Sequence, residues 1–295
     1  MTFRWAVNIG RWHPEEAEID FLLTLIPEPE RKDVRAFKFL DDQKRALCSR
    51  LLQRQCTCQA LRISWQAVSL KRTRGRKPFA AVQGSRSACP NFNFNVSHEG
   101  HYVVLAAEPL CVCGIDVAAP QHTRTVGRKL AMTDLRQAFD KQLTSQEWHT
   151  VESVGPDEKQ LERMFRRLWS LKEAFSKARG DGVGYDFGQV NFSFPHGPWE
   201  SHCSAQISGI PADRWRFSSQ ELGDSHWVSV ARGPLDAIVD AWGEFTGTMQ
   251  KPHLEEAQLQ EALDQPCPPF ELLSISNLVP AERLQDYEAA GGDLM

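Results

Sequence analysis

Glu173 and Lys177 stand four residues apart in Trp169-Ser170-Leu171-Lys172-Glu173-Ala174-Phe175-Ser176-Lys177. At 3.6 residues per turn they share one side of a helix, with Trp169 a turn earlier. An acid, a base and an indole on one face can serve chemistry. The same spacing also makes the commonest solvated helix ion pair, worth about 0.2–0.5 kcal/mol. Two further stretches bear on the choice. Asn95-Val96-Ser97-His98 offers a hydroxyl and an imidazole, although a lone histidine is more often a hydrogen-bonded structural residue; Cys113-Gly114-Ile115-Asp116 offers a second carboxylate. The fourth stretch, Lys71-Arg72-Thr73-Arg74-Gly75-Arg76-Lys77-Pro78, carries five cationic side chains in eight residues. Basic runs are usually solvated loops or nucleic-acid patches. The sharper reading is a phosphate clamp, because arginine bonds phosphate in bidentate fashion, lysine adds a point charge, and glycine admits close backbone approach.

The elements that must position these groups follow from periodicity. A helix is predicted from Glu158 to Arg179, with Leu161, Met164, Leu168, Leu171 and Phe175 on its apolar stripe. Strict alternation in Phe92-Asn93-Phe94-Asn95-Val96-Ser97 predicts a half-buried strand. A tight turn at Glu99-Gly100 leads to a second strand from Tyr102 and a third over Val112 to Val117. Upstream, a strand over residues 3–9 precedes a helix from Pro14, ended by Pro27 and Pro29, and a long helix from Asp41 to Arg62. Downstream of a polar stretch from Ala119 to Arg128, helices are expected over Thr133–Phe139 and Thr144–Val154, the second with a Thr144/Glu147 capping box. Strands follow over Val190–Phe194, Trp215–Ser219 and Trp227–Ala231. A short helix from Leu254 to Leu263 and a strand or arm from Phe270 to Val279 lie in a partly ordered extension, 233–295, whose last residues from Ala289 read as disordered. The first two segments, 1–118 and 119–232, each end in three strands, so a cleft between two halves is the natural ligand site.

Composition narrows the class. The 295 residues are 41% hydrophobic and 24% charged, ordinary for a globular protein. The formal charge of -4 argues against a general nucleic-acid binder, and one basic loop without an aromatic-studded face does not reverse that. No apolar run approaches a membrane span, and the N-terminus lacks a signal-peptide core. With no secretion signal, the eight cysteines read as free thiols of a cytoplasmic protein, not as a zinc site.

Taken together, Asn95-Val96-Ser97-His98, Gly114-Ile115-Asp116 and Trp169-x-x-Lys172-Glu173-x-x-x-Lys177, at these separations, resemble the 4'-phosphopantetheinyl transferases of the larger, monomeric Sfp type. Arg72 to Pro78 and Pro90 to Asn95 look closest to the animal branch of that family. The resemblance covers roughly residues 3 to 232. It implies an α+β fold of two related halves about a pseudo-twofold, each a small antiparallel sheet with a long helix. It also implies the reaction: coenzyme A gives its phosphopantetheine arm to a serine of an acyl carrier protein domain, of the fatty acid synthase or aminoadipate reductase type, with magnesium. Adenosine 3',5'-bisphosphate leaves.

Residue by residue, the resemblance implies Asp116 and Glu173 as metal ligands and Asp116, Glu173 and Lys177 as the catalytic set. Two carboxylates plus phosphates suit magnesium. Glu173, directly or through a metal-bound water, would take the serine proton. Lys177, and less directly Lys172, would meet charge on the phosphate oxygens. Arg72, Thr73, Arg74, Gly75, Arg76, Lys77, Asn95, Val96, Ser97 and His98 would hold the nucleotide. Arg163, Arg166 and Arg167 are the candidate contacts to an acidic carrier surface. Two departures from the family pattern stand out. Ala118 occupies the position of a third acid in many bacterial relatives. Asp33 occupies that of a basic residue, which Arg31 or Lys32 would replace. Ala118 is what favours the rival reading, a catalytically silent coenzyme A-binding module.

Overall fold

The computed structural model describes residues 1–82, 87–120, 131–223 and 225–294. The polar stretch expected after Asp116 lies, from residue 121 onward, outside the described residues. The molecule is α+β, with two sheets stacked between helices.

The first sheet has the order β12-β1-β5-β4, from β1 (Phe3–Asn8), β4 (Asn93–Glu99), β5 (Tyr102–Glu108) and β12 (Glu271–Leu272). The second runs β6-β11-β10-β8-β7, from β6 (Val112–Ala118), β7 (Val190–Ser193), β8 (His202–Ile207), β10 (Arg216–Leu222) and β11 (His226–Gly233), with β9 (Ile210–Pro211) paired to β8. A separate hairpin joins β2 (Leu70–Arg72) to β3 (Pro78–Ala80). The helices are α1 (Glu16–Thr24), α2 (Glu28–Arg35), α3 (Leu40–Leu61), α4 (Met132–Phe139), α5 (Ser145–Ser153), α6 (Glu158–Arg179), α7 (Glu256–Asp264) and α8 (Leu284–Ala289).

Period-2 alternation sorts the strand side chains into layers. In β5, Val103, Leu105 and Ala107 join α3 in one core, whereas Tyr102, Val104 and Ala106 face Ile115, Val117, Val228 and Val230 of the second sheet. A further core lies between that sheet and α6, built on Met164, Leu168, Leu171 and Phe175, as the helical stripe predicts.

Four features differ from the sequence expectations. Pro29 does not end a helix; it lies in the first turn of α2, where its missing N–H costs nothing. β6 does not pair with β4 or β5 but with β11, Asp116 opposite Ser229. Residues 289–292, expected to be disordered, close onto Tyr287, which is buried, with Gly292 N donating to its carbonyl at 2.9 Å. β8, an inner strand between β10 and β7, went unforeseen, because its mostly polar and exposed residues show little apolar alternation.

Candidate active site

The polar face of β4 is not solvated. Its side chains bond the backbone of β6 at constant spacing. Asn93 Oδ1 accepts from Cys113 N (2.9 Å), Asn95 Oδ1 from Ile115 N (3.0 Å), Ser97 Oγ from Val117 N (3.4 Å) and Glu99 Oε2 from Ala119 N (2.6 Å). This ladder satisfies the free edge of β6 with side chains where a strand would otherwise be needed. It therefore fixes Ser97 beside Asp116.

Gly114 does the same for the helix. A Cβ there would lie 2.1 Å from Ala174 O and 2.2 Å from Ala178 N, so β6 runs against the α6 backbone itself. That approach brings Asp116 to Lys177. Lys177 Nζ donates to Asp116 Oδ1 at 2.5 Å and to Ser97 Oγ at 2.9 Å, and Ser97 Oγ donates to the same Asp116 oxygen at 2.9 Å. Burial raises the Asp116 carboxyl above its ordinary range although Lys177 pulls the other way. Glu173, one turn before Lys177, is pushed up to about 7, first by burial and then by the Asp116 carboxylate.

Glu173 and Lys177 open on a cavity of about 970 Å³. Arg72, Arg74, Gly75, Arg76 and Lys77 line one side, with Asn95 and Val96 beside them; Trp169, Tyr185 and Phe187 make an aromatic wall. The basic hairpin is seated by Gly75, whose Cβ would meet Gly180 O at 2.0 Å, at the C-cap of α6. Arg72, Arg74 and Arg76 are exposed. Thr73 is buried, its Oγ1 accepting from Lys77 N at 3.2 Å. Lys77 is structural in its ammonium: Nζ donates to Cys113 O (2.6 Å) and Lys177 O (2.9 Å), and burial pushes it down to about 8. His98, at the end of β4, is exposed and outside the cavity wall.

Several expected groups are occupied elsewhere. Arg31 donates to Ile26 O and Thr24 O, closing the end of α1, and Lys32 pairs with Glu28 at the surface; neither reaches the cavity. Asp33 instead faces Arg50 at 3.5 Å. Lys172 cannot meet a phosphate: it is fully buried, paired with Glu147 at 2.7 Å and donating to Phe187 O and Val190 O. Arg166 and Arg167 are likewise buried. Arg166 bonds Ser225 O, and Arg167 bonds Ser219 Oγ with the carbonyls of Pro198 and Glu200, so neither can dock a carrier. Arg163 pairs with Glu221 at 2.6 Å. The sequence reading missed Lys141, Gln142, Tyr185, Phe187, Val239 and Ala241 in the cavity wall. Only the glycine-rich turn after α6 signalled any of them.

Residues 10–110 match the family described as 4'-phosphopantetheinyl transferase, N-terminal, and residues 112–231 match the 4'-phosphopantetheinyl transferase superfamily. The chain is 34% identical over 233 residues to L-aminoadipate-semialdehyde dehydrogenase-phosphopantetheinyl transferase of Mus musculus, covering 77% of this chain and 74% of that protein. It is 33% identical to a phosphopantetheinyl transferase of Thraustochytrium over 77% of each chain. Among solved structures, Thermotoga maritima holo-[acyl-carrier-protein] synthase aligns at TM-score 0.28 and 19% identity, over 42% of this chain and 64% of that one, too distantly to carry an argument.

Proposed function

The chain belongs to the 4'-phosphopantetheinyl transferase superfamily, and we propose that the cavity beside α6 is where it moves the phosphopantetheine arm of coenzyme A onto a carrier-protein serine. The transfer itself goes with the family. The residue roles rest on the joining of Asp116 and Ser97, within 2.9 Å, to Lys177 in the wall of an arginine-lined cavity.

In this reading Arg72, Arg74, Arg76 and the backbone at Gly75 hold the nucleotide phosphates. Asn95 and Ser97 shape the floor through the ladder to β6. The serine hydroxyl attacks the pyrophosphate phosphorus that bears the pantetheine arm. The new P–O bond forms as the bond to adenosine 3',5'-bisphosphate breaks, and the serine proton passes to Glu173. Lys177 stabilises charge on the phosphate oxygens. Arg31, Lys32 and Lys172 are left out, because their cations are held elsewhere.

The donor set fits magnesium. Asp116 and Glu173 are two carboxylates close enough for one to raise the other, and they would supply two oxygen ligands beside the Lys177 ammonium. Among the described residues no group of three or more His, Cys, Asp or Glu forms a metal cluster, so substrate phosphates would complete the shell. When bound, the ion would neutralise the pyrophosphate and polarise its phosphorus. We further read the chain as two related halves, 1–118 and 119–232, acting as a cytosolic monomer on carrier domains of the aminoadipate or fatty acid synthase type. Among the described residues no helix is long and apolar enough to cross a membrane.

Intact-protein mass spectrometry tests the reading. Incubation with apo acyl carrier protein, coenzyme A and magnesium should add one phosphopantetheine arm to the carrier. Glu173→Ala should abolish the gain; transfer at the wild-type rate by that variant would refute the role given to Glu173.

A further inference from the structure

Both family matches end before Gly233, yet the chain beyond it contributes to the cavity. After β11 the backbone returns to the C-terminus of α6, where Val239 N donates to Arg179 O at 2.8 Å. Six residues later Phe245 is fully buried against Phe79 of the basic hairpin's second strand, ring centroids 5.6 Å apart. The bow between these anchors is stitched internally, because Asp240 Oδ2 accepts from Thr246 N (2.9 Å) and Thr246 Oγ1 (3.1 Å). Lys71 Nζ and Glu244 Oε2, 2.9 Å apart, tie it again to the hairpin.

Between the anchors, Val239 and Ala241 form part of the cavity wall, and Trp242 leaves 61% of its surface exposed beside them. An indole combines a large apolar face with a polar N–H, so at the edge of a ligand cavity it can pack on a flat ring. The bow shares its side of the cavity with Arg72, Arg74 and Arg76. Coenzyme A carries all its charge on the 3'-phosphate and pyrophosphate, around an uncharged, flat purine. Arginines therefore suit the phosphates, and an apolar, aromatic edge beside them suits the base.

Resting on the reading above, we infer that the bow Val239–Phe245 is a further binding element of this site. Val239 and Ala241 take one face of the adenine, and Trp242 packs over its exposed edge. The segment is thus a nucleobase-recognition wall that the matched family stretches do not include.

Isothermal titration calorimetry on the full chain tests this with coenzyme A and adenosine 3',5'-bisphosphate as probes. Ala241→Asp and Trp242→Ala both alter exposed positions, so their melting temperatures should stay near wild type. Each should weaken both probes about tenfold, the worth of one base–aromatic contact. In steady state, KM for coenzyme A should rise while KM for the carrier protein stays unchanged. Wild-type affinity for adenosine 3',5'-bisphosphate in both variants would overturn the wall and leave the transferase reading intact. A wild-type protein that binds no coenzyme A would overturn the reading and the wall together.

Discussion

Two of the charged residues in the Trp169–Lys177 motif have opposite fates, and burial separates them. Lys172 and Glu147 form a fully buried pair. Removing one partner leaves an uncompensated buried charge, so Lys172→Ala should cost about 3–5 kcal/mol in urea unfolding. Lys172→Met combined with Glu147→Gln should recover part of that loss; a single mutant within about 0.5 kcal/mol of wild type would show that the pair is not fully desolvated. Glu173 faces the cavity, and its carboxyl stands at about 7 against an ordinary 4.5. A folded value above the unfolded one means that the stabilising contribution is complete below 4.5 and is lost as pH rises through 7. Glu173→Gln should therefore flatten the fall in Tm over that window when no divalent cation is present. Excess magnesium should raise the Tm of the wild type at pH 8 by binding the ionised pair, and should not move Asp116→Asn or Glu173→Gln. Equal shifts in all three proteins would remove these residues as ligands.

At the scale of elements, the site depends on how closely β6 approaches its neighbours. Gly114→Ala places a methyl group on the α6 backbone at Ala174 O, which no side-chain rotamer can relieve. It should lower Tm and abolish coenzyme A binding. Gly184→Ala, with nothing within 4 Å of the new Cβ, is the thermal control. If both variants melt together, the close approach is not what seats Asp116. On the other edge of β6, Asn95→Ala strands the Ile115 N–H and should cost about 1–3 kcal/mol. Asn95→Asp keeps the acceptor and should cost less; the reverse order, measured by denaturant unfolding, would argue against the ladder. The alternation of Asn93, Asn95 and Ser97 is visible in the sequence, but a polar face by itself reads as solvated. Only the position of β6 turns it inward.

At the scale of the molecule, the segment after Gly233 fastens both cores. Phe245 belongs to the core under α6, Leu278 and Tyr287 to the core under α3, and β12 adds a parallel strand to β1. Tyr287 Oη donates to Glu18 at 2.8 Å, and Arg216 meets Asp264 of α7 at 2.7 Å. Leu259 and Leu263 are also buried. Burying five or six such side chains is worth about 10 kcal/mol, comparable to the whole stability of a domain. A chain truncated after Gly233 should thus lose cooperative thermal unfolding by circular dichroism. An unchanged, single melting transition would make the segment dispensable to the fold.

By itself the sequence determined the local structure and the chemical class. Period-3.6 and period-2 patterns, the Thr144/Glu147 capping box and Gly180 at the C-cap placed α5, α6, β4, β5 and β6 to within a residue or two, and three spaced motifs identified the family. These signals are short-range, carried by neighbouring residues. What only the tertiary structure decided was which charges remain available. Glu173 and Lys177 open on the cavity, while Lys172, Lys77, Arg166 and Arg167 are held by carbonyls and a buried carboxylate from distant segments. Those partners lie tens of residues away in the chain. Desolvation depends on the packing that brings them together, which no local pattern encodes.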